Sequence, residues 1–300
     1  MNQNPLDRRA LGLTLTRLAN ANVDQVLASE AQARARNGHA AYRIGVTGPP
    51  GAGKSSLVGR LAQIRAADRR LGVLAIDPSS PKSGGAILGD RIRMDDLENI
   101  DELYIRSFGS RSSSDGLTDN LPELIAAMDS FGFDEVMVET VGVGQAEYAV
   151  RPQVDTLVLV LLPDSGDVVQ AMKAGIMEMA DIFVVNKSDL GGARKMAADI
   201  KRIATLRGHA AAGWKQPVLL TSMDHPESIA ELSSAIDRHR DFLAQSGMRD
   251  ALLHERSRYR IRRLVERELV QVLQGLDQSF FEAPLMEQYR AVLAELGRRT

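Results

Sequence analysis

Cysteine is absent from this 300-residue chain, and aromatic residues make up only 4 % of it. Without cysteine there is no disulfide, no thiolate metal ligand and no cysteine nucleophile. Scarce aromatic side chains argue against a surface that stacks nucleic-acid bases. A net charge of −2 also gives no general attraction to polyanions. We therefore expect no nucleic-acid partner.

Long apolar runs are also missing. The longest, residues 156–163, is far too short to span a bilayer. Residues 1–10 lack the apolar core of a secretion signal. Because the absence of cysteine fits a reducing compartment, we expect a cytoplasmic protein without a membrane partner.

A glycine-rich loop is the most informative segment that the chain does contain. Residues 48–55 read GPPGAGKS and match the phosphate-binding pattern G-x-x-x-x-G-K-[ST], between a strand pattern and a helix pattern. Such a loop curls backbone N–H groups around phosphates, its lysine reaches the β- and γ-phosphates, and its serine ligates Mg²⁺. The predicted phosphate-binding residues are Gly48, Pro50, Gly51, Ala52, Gly53, Lys54, Ser55 and Ser56.

A second motif, Asn-Lys-Ser-Asp at residues 186–189, follows another apolar strand pattern. N-K-x-D at a strand end reads guanine in P-loop GTPases. The Asp189 carboxylate can accept from guanine N1–H and the 2-amino group, whereas adenine would leave it facing a lone pair. We predict guanine binding by Asn186, Lys187 and Asp189, with the backbone N–H of Ser222 reaching guanine O6.

Apolar runs alternate with helical patterns from residue 43 to residue 222, and this alternation predicts a doubly wound, mostly parallel α/β sheet. The predicted domains are an N-terminal helical extension (1–40), a P-loop GTPase domain (41–225) and a C-terminal helical extension (226–300). The predicted strands are 43–47, 72–77, 103–108, 134–140, 155–162, 181–186 and 217–221. The predicted helices within the domain are 56–70, 119–130, 167–180 and 194–207.

Three carboxylates fall where a Mg²⁺ and water network would need them. Asp77 and Glu139 end predicted strands, and Asp90 lies in a glycine-rich stretch. Mg²⁺ prefers oxygen ligands and retains several waters, so these groups could serve it together with Ser55. Gly142, three residues after Glu139, completes an E-x-x-G pattern where most GTPases carry D-x-x-G.

Two long segments resemble the signatures of one family. Residues 74–94, LAIDPSSPKSGGAILGDRIRM, and residues 138–147, VETVGVGQAE, are similar to those of the MeaB/ArgK family of G-protein chaperones. The resemblance covers nearly the whole chain. It implies a homodimer that binds an adenosylcobalamin-dependent acyl-CoA mutase, chiefly methylmalonyl-CoA mutase, and contact with an adenosyltransferase.

The same resemblance assigns roles within the site. GTP hydrolysis would gate cofactor delivery and would protect or rescue the mutase, with Mg²⁺ and GTP or GDP as ligands and no tightly bound organic cofactor. Asp77, Asp90 and Glu139 carry over as the Mg²⁺ and water-network carboxylates. Residues 78–94 and 139–150 carry over as switches I and II.

The chain departs from the family at a third switch. Residues 163–170 read PDSGDVVQ where the family reads P-G-x-G-D-E-L-Q, and this loop with Lys173 would relay the nucleotide state to the mutase. The partner could therefore be a different acyl-CoA mutase. Val143 stands where many GTPases have the water-orienting glutamine, and Gln145 follows only two residues later, so we expect slow intrinsic hydrolysis that the partner stimulates.

Other interpretations remain open on the sequence alone. A nickel-insertion GTPase usually carries Cys/His ligands, a transport-linked kinase would need an acceptor pocket, and a nucleotide-dependent scaffold would show no turnover. The C-terminal helices carry an apolar stripe that would form a homodimer seam or pack on its own chain. It comprises Leu252, Ile261, Leu264, Leu269, Val270 and Val272. The basic run 256–263 is expected to pair with nearby glutamates on a solvated helix.

Overall fold

A computed structural model describes residues 5–33, 40–78, 100–110, 117–140, 145–163, 175–206 and 213–299. Its centre is a seven-stranded sheet in the order β3-β2-β4-β1-β5-β6-β7, in which every neighbouring pair is parallel. The strands are β1 (Tyr42–Thr47), β2 (Leu71–Pro78), β3 (Leu103–Ser110), β4 (Glu135–Glu139), β5 (Thr156–Leu161), β6 (Ile182–Val185) and β7 (Val218–Leu220).

Helices cover both faces of the sheet, which explains why its central strands are continuous apolar runs. Side chains from α3 and α7 pack on one face, and side chains from α1, α4 and α6 pack on the other. The helices are α1 (Arg8–Ala19), α2 (Val23–Ala33), α3 (Lys54–Arg65), α4 (Leu121–Ser130), α5 (Gln145–Val150), α6 (Ala193–Leu206), α7 (Pro226–Ser246), α8 (Arg249–Gln274) and α9 (Leu285–Arg299). Short 3-10 turns lie at Arg151–Gln153, Ile176–Glu178 and Gln278–Glu282.

A buried ionic network ties α3 to α7 at the amino end of β4. Glu135 accepts hydrogen bonds from Arg65 at 2.7 and 2.6 Å, from Arg69 at 2.7 Å and from Arg240 at 3.1 Å. Arg65 also donates to the Asp237 carboxylate of α7 at 2.8 Å. Helix α3 begins at the glycine-rich loop, and α7 begins just after the loop that contains Ser222. The network therefore ties together the helices that follow these two loops.

Helix α8 reaches the rest of the fold through its arginines. Arg256 pairs with Asp155 at 2.7 Å, Arg260 pairs with Glu123 at 2.8 Å, and Arg267 donates to the Asn120 side chain. The predicted local pairing holds for Arg262 and Arg263, which pair with Glu266 of the same helix. Two other arginines of the run, Arg256 and Arg260, pair instead with the domain. These long-range bonds place the polar face of α8 against the domain.

The apolar stripe of α8 divides between inside and outside. Val272 is buried, and Leu252, Leu264 and Leu269 are half-buried. Ile261 is 64 % exposed and Val270 is 50 % exposed. Part of the stripe therefore packs on its own chain, and part faces outward.

The predicted fold class is confirmed, and each predicted strand lies within two residues of an observed one. The predicted helix 167–180 is wrong in its described part, where Ile176–Glu178 forms a 3-10 turn, and residues 167–174 lie outside the described ranges. The predicted helix 56–70 ends earlier, at Arg65. Among the described helices, none is long and apolar enough to cross a membrane. The division into three domains, with its two boundaries, remains a prediction.

Candidate functional site: a phosphate loop joined to a base-reading loop

The glycine-rich loop leaves the carboxyl end of β1, the central strand, where ligands of doubly wound sheets bind. Gly48 has φ of +145°, and a Cβ there would lie 1.9 Å from the backbone oxygen of Val160. Gly53 caps α3 with φ of +80°, and a Cβ there would lie 2.6 Å from the Asn186 amide nitrogen. Glycine is thus required at both positions, by conformation and by space. Gly51 also has a positive φ, of +80°.

The two polar side chains that open α3 point back across the loop. Lys54 Nζ donates to the backbone oxygens of Gly48 at 2.9 Å and Pro49 at 3.0 Å. Ser55 Oγ donates to Glu139 Oε1 at 2.7 Å. Both side chains are buried, and their polar groups are hydrogen-bonded within the protein. On binding a phosphate, Lys54 would replace its bonds to the loop backbone by bonds to phosphate oxygens. The amino end of α3 adds the positive end of its helix dipole.

Two of the predicted carboxylates lie at the same edge of the sheet. Asp77 near the end of β2 and Glu139 at the end of β4 are both buried. Strand β4 lies between β2 and β1, so Glu139 is on the strand next to the glycine-rich loop and Asp77 is one strand further away. Within the described residues, no three His, Cys, Asp or Glu side chains are grouped to hold a metal by themselves. Ser55, Asp77 and Glu139 carry the oxygen donors that Mg²⁺ prefers, and they remain the predicted Mg²⁺ residues.

The predicted base-reading loop is hydrogen-bonded directly to the phosphate loop. Asn186 Nδ2 donates to the backbone oxygen of Ala52 at 2.8 Å, and its Oδ1 accepts from Thr221 Oγ1 at 2.9 Å. Lys187 adopts the left-handed φ of +53°, and its Nζ donates to the backbone oxygen of Gly51 at 3.1 Å. The two residues that follow β6, Asn186 and Lys187, thus hold the phosphate loop through its backbone.

The Asp189 carboxylate is held in place by a neighbour and remains exposed. Ser222 Oγ donates to Asp189 Oδ1 at 2.7 Å, and this hydrogen bond holds the pKa of Asp189 below its usual range. The group is therefore an anion at neutral pH. The Ser222 N–H, predicted to reach guanine O6, donates here to Ser228 Oγ at 3.2 Å. A bound base would have to compete with Ser228, a residue that the sequence did not single out.

Several predicted residues lie beyond this description. Asp90, Gly142 and Lys173 lie outside the described residues, as do residues 164–170 of the third switch. Gln145 begins α5, and its side chain is not described. Ser56 is the third residue of α3 and is half-buried.

Comparison with known proteins gives the same picture over most of the chain. Residues 9–277 match the family model described as methylmalonyl-CoA mutase-associated GTPase MeaB. A relative from Pyrococcus abyssi, to which GTPase activity is provisionally attributed, is 41 % identical over 262 residues, covering 86 % of this chain and 78 % of the relative. The mouse mitochondrial methylmalonic aciduria type A homolog is 33 % identical over 277 residues, covering 90 % of this chain and 67 % of the relative.

The solved structure titled LAO/AO transport system kinase has the same fold. It superposes with a TM-score of 0.66 at 23 % identity, covering 97 % of this chain and 94 % of that one. At that identity the likeness speaks for the fold alone. The family match, which spans the P-loop, the guanine motif and most of the C-terminal helices, shows that this chain belongs to the methylmalonyl-CoA mutase-associated GTPases of the MeaB family.

Proposed function

We propose that this chain is a GTP-binding and GTP-hydrolysing chaperone that gates the loading of adenosylcobalamin onto an acyl-CoA mutase and protects or reactivates that mutase. One observation carries the nucleotide half of this proposal. Asn186 and Lys187 of the predicted guanine loop are hydrogen-bonded to the backbone of the phosphate loop, at Ala52 and Gly51. One ligand with a triphosphate and a guanine would therefore span both loops.

Each described residue has a task in nucleotide binding. Lys54 would transfer its hydrogen bonds from Gly48 and Pro49 to the β- and γ-phosphate oxygens. Asp189, already ionised, would accept from guanine N1–H and the 2-amino group. Ser55 would hold Mg²⁺ with Glu139 and Asp77 near it, and bound Mg²⁺ would neutralise phosphate charge.

The rate of hydrolysis should depend on the partner. Val143 occupies the position of the usual water-orienting glutamine, so the unassisted chain lacks one means of placing the attacking water. We expect slow intrinsic turnover, and acceleration when the mutase orders switches I and II. Identical turnover with and without the cognate mutase would contradict this expectation.

The family supports the mutase as partner, and the surface supports a homodimer. Outward-facing apolar side chains on α8 and α9 include Ile261 at 64 % exposure and Leu285 at 80 % exposure. Large apolar side chains exposed on two helices that contact each other are a feature of many interfaces. Sedimentation at the monomer mass would remove the dimer, and Ile261→Glu should shift a dimer toward monomer.

The decisive experiment joins nucleotide state to cofactor delivery. Candidate acyl-CoA mutases are co-purified with the chain, and adenosylcobalamin loading is followed with GTP, with GDP and without nucleotide. We expect loading to differ between GTP and GDP, and Lys54→Ala to abolish that difference. Loading that ignores the nucleotide would refute the chaperone function while leaving GTP binding intact.

A further inference from the structure

Two buried threonine hydroxyls link the strand before the phosphate loop to the strand that carries Glu139. Thr47 ends β1 and Thr140 follows β4, and their Oγ1 atoms lie 2.8 Å apart. Both residues are buried, at 0 % and 1 % exposure. The backbone N–H of Thr140 donates to Val46 at 3.1 Å, so the β1–β4 ladder continues one residue past β4. The hydroxyl pair lies at that last rung.

Each threonine is next in sequence to a part of the site that would hold the metal. Thr47 immediately precedes the phosphate loop, whose Ser55 Oγ lies 2.7 Å from Glu139 Oε1, and Thr140 immediately follows Glu139. On the opposite side, Gly48 packs against the Val160 backbone of β5. The start of the loop is therefore held by backbone packing toward β5 and by the hydroxyl pair toward β4.

We infer that the Thr47–Thr140 hydroxyl pair positions Ser55 and Glu139 for Mg²⁺ and thereby sets the Mg²⁺ affinity of the nucleotide-bound protein. This inference rests on the proposed function, since it assumes a guanine nucleotide in the loop. Mg²⁺ demands near-ideal octahedral geometry at short distances. A small change in the spacing of its ligands therefore weakens Mg²⁺ binding more than it weakens nucleotide binding. Both threonines act through other residues and are positioning residues.

The test replaces each hydroxyl by a methyl group of similar volume, in Thr47→Val, Thr140→Val and the double variant. Thr156→Val is the matched control. Its hydroxyl is equally buried, but it contacts Tyr42 and His239 at the amino end of the sheet, far from the loop. Calorimetry gives the affinity for GDP in EDTA and the affinity for Mg²⁺ of the GDP-bound protein, and thermal melts check folding.

We expect GDP affinity in EDTA to stay within about twofold of the unmodified chain. The Mg²⁺ dissociation constant should rise roughly 5- to 10-fold in either valine variant, the effect of one hydrogen bond. The double variant should bind Mg²⁺ no more weakly than the single variant with the lower Mg²⁺ affinity, because each single variant already loses the same hydrogen bond. Thr47→Ser, which keeps the hydroxyl, should have the Mg²⁺ affinity of the unmodified chain. Thr156→Val should change the stability of the protein without changing its Mg²⁺ affinity.

Unaltered Mg²⁺ affinity in Thr47→Val and Thr140→Val, with normal GDP binding, overturns this inference alone. An equal loss of Mg²⁺ affinity in Thr156→Val also overturns it, since the effect would then be a general loosening of the sheet. Absence of GDP binding by the unmodified chain overturns the proposed function itself.

Discussion

Glu135→Gln tests the buried ionic network that ties α3 to α7. The Glu135 carboxylate accepts four hydrogen bonds from Arg65, Arg69 and Arg240. The side chains of Arg65 and Glu135 are 0 % and 1 % exposed. Glutamine keeps the shape but removes the charge and one acceptor oxygen. Arg65 would then be a buried cation with only Asp237 as its charged partner in this network.

The expected loss follows from that burial. Removing one partner of a buried ion pair costs about 3–5 kcal/mol. Asp237 still pairs with Arg65, so we expect the lower end, about 3 kcal/mol. For a 300-residue chain, with an unfolding entropy of about 0.6 kcal/mol/K, that is a fall in melting temperature of roughly 5 °C.

Calorimetric and urea unfolding measure this loss, with Glu102→Gln as the matched control. Glu102 bonds Arg70 at the same distance class, 2.8 Å, but its side chain is 43 % exposed. An exposed pair of this kind contributes less than about 1 kcal/mol. If Glu135→Gln and Glu102→Gln destabilised the protein equally, the burial argument for this network would be refuted.

Three further predictions follow from other parts of the fold. Gly48→Ala should abolish GDP binding in calorimetry, because its Cβ would overlap backbone, and affinity like that of the unmodified chain would contradict this geometry. Burial lowers the pKa of His239, so the unfolded chain protonates first. The free energy of unfolding should therefore fall below about pH 6.5, by up to ~1.4 kcal/mol per pH unit. His239→Gln should flatten that slope in urea melts, and an unchanged slope would exclude His239 as its source. Arg260→Gln should lower stability by about 1 kcal/mol at low salt and less at high salt, whereas the exposed Arg262→Gln should change it little at any salt concentration.

Much of the sheet could be predicted because its strands are buried on both faces. Residues 156–161, TLVLVL, have no polar face, and such a run flanked by helical patterns indicates a parallel strand. The two nucleotide loops could be predicted because each is contiguous in sequence. The hydrogen bond that connects them, from Asn186 to Ala52, joins residues 134 positions apart, which the fold brings together.

The residues that were missed depend on neighbours far away in the chain. Thr47 and Thr140 meet because β4 lies beside β1, and strand order cannot be read from two isolated threonines. The arginines of α8 looked like members of local pairs because glutamates flank them. Three of them instead have partners more than 100 positions away, such as Glu123 for Arg260. Periodicity reports the face of a helix and does not report what that face contacts.

The central claim is a pocket that recognises guanine through Asp189. The most direct measurement is calorimetric titration of the unmodified chain and of Asp189→Asn with GDP, ADP and xanthosine diphosphate. Xanthine offers an N1–H donor and a C2 carbonyl, which match the oxygen and the NH₂ of an asparagine side chain. We predict that the unmodified chain binds GDP far more tightly than ADP. The Asp189→Asn variant should lose affinity for GDP and gain affinity for xanthosine diphosphate. Equal affinity for GDP and ADP, or no change of preference in the variant, would contradict the account.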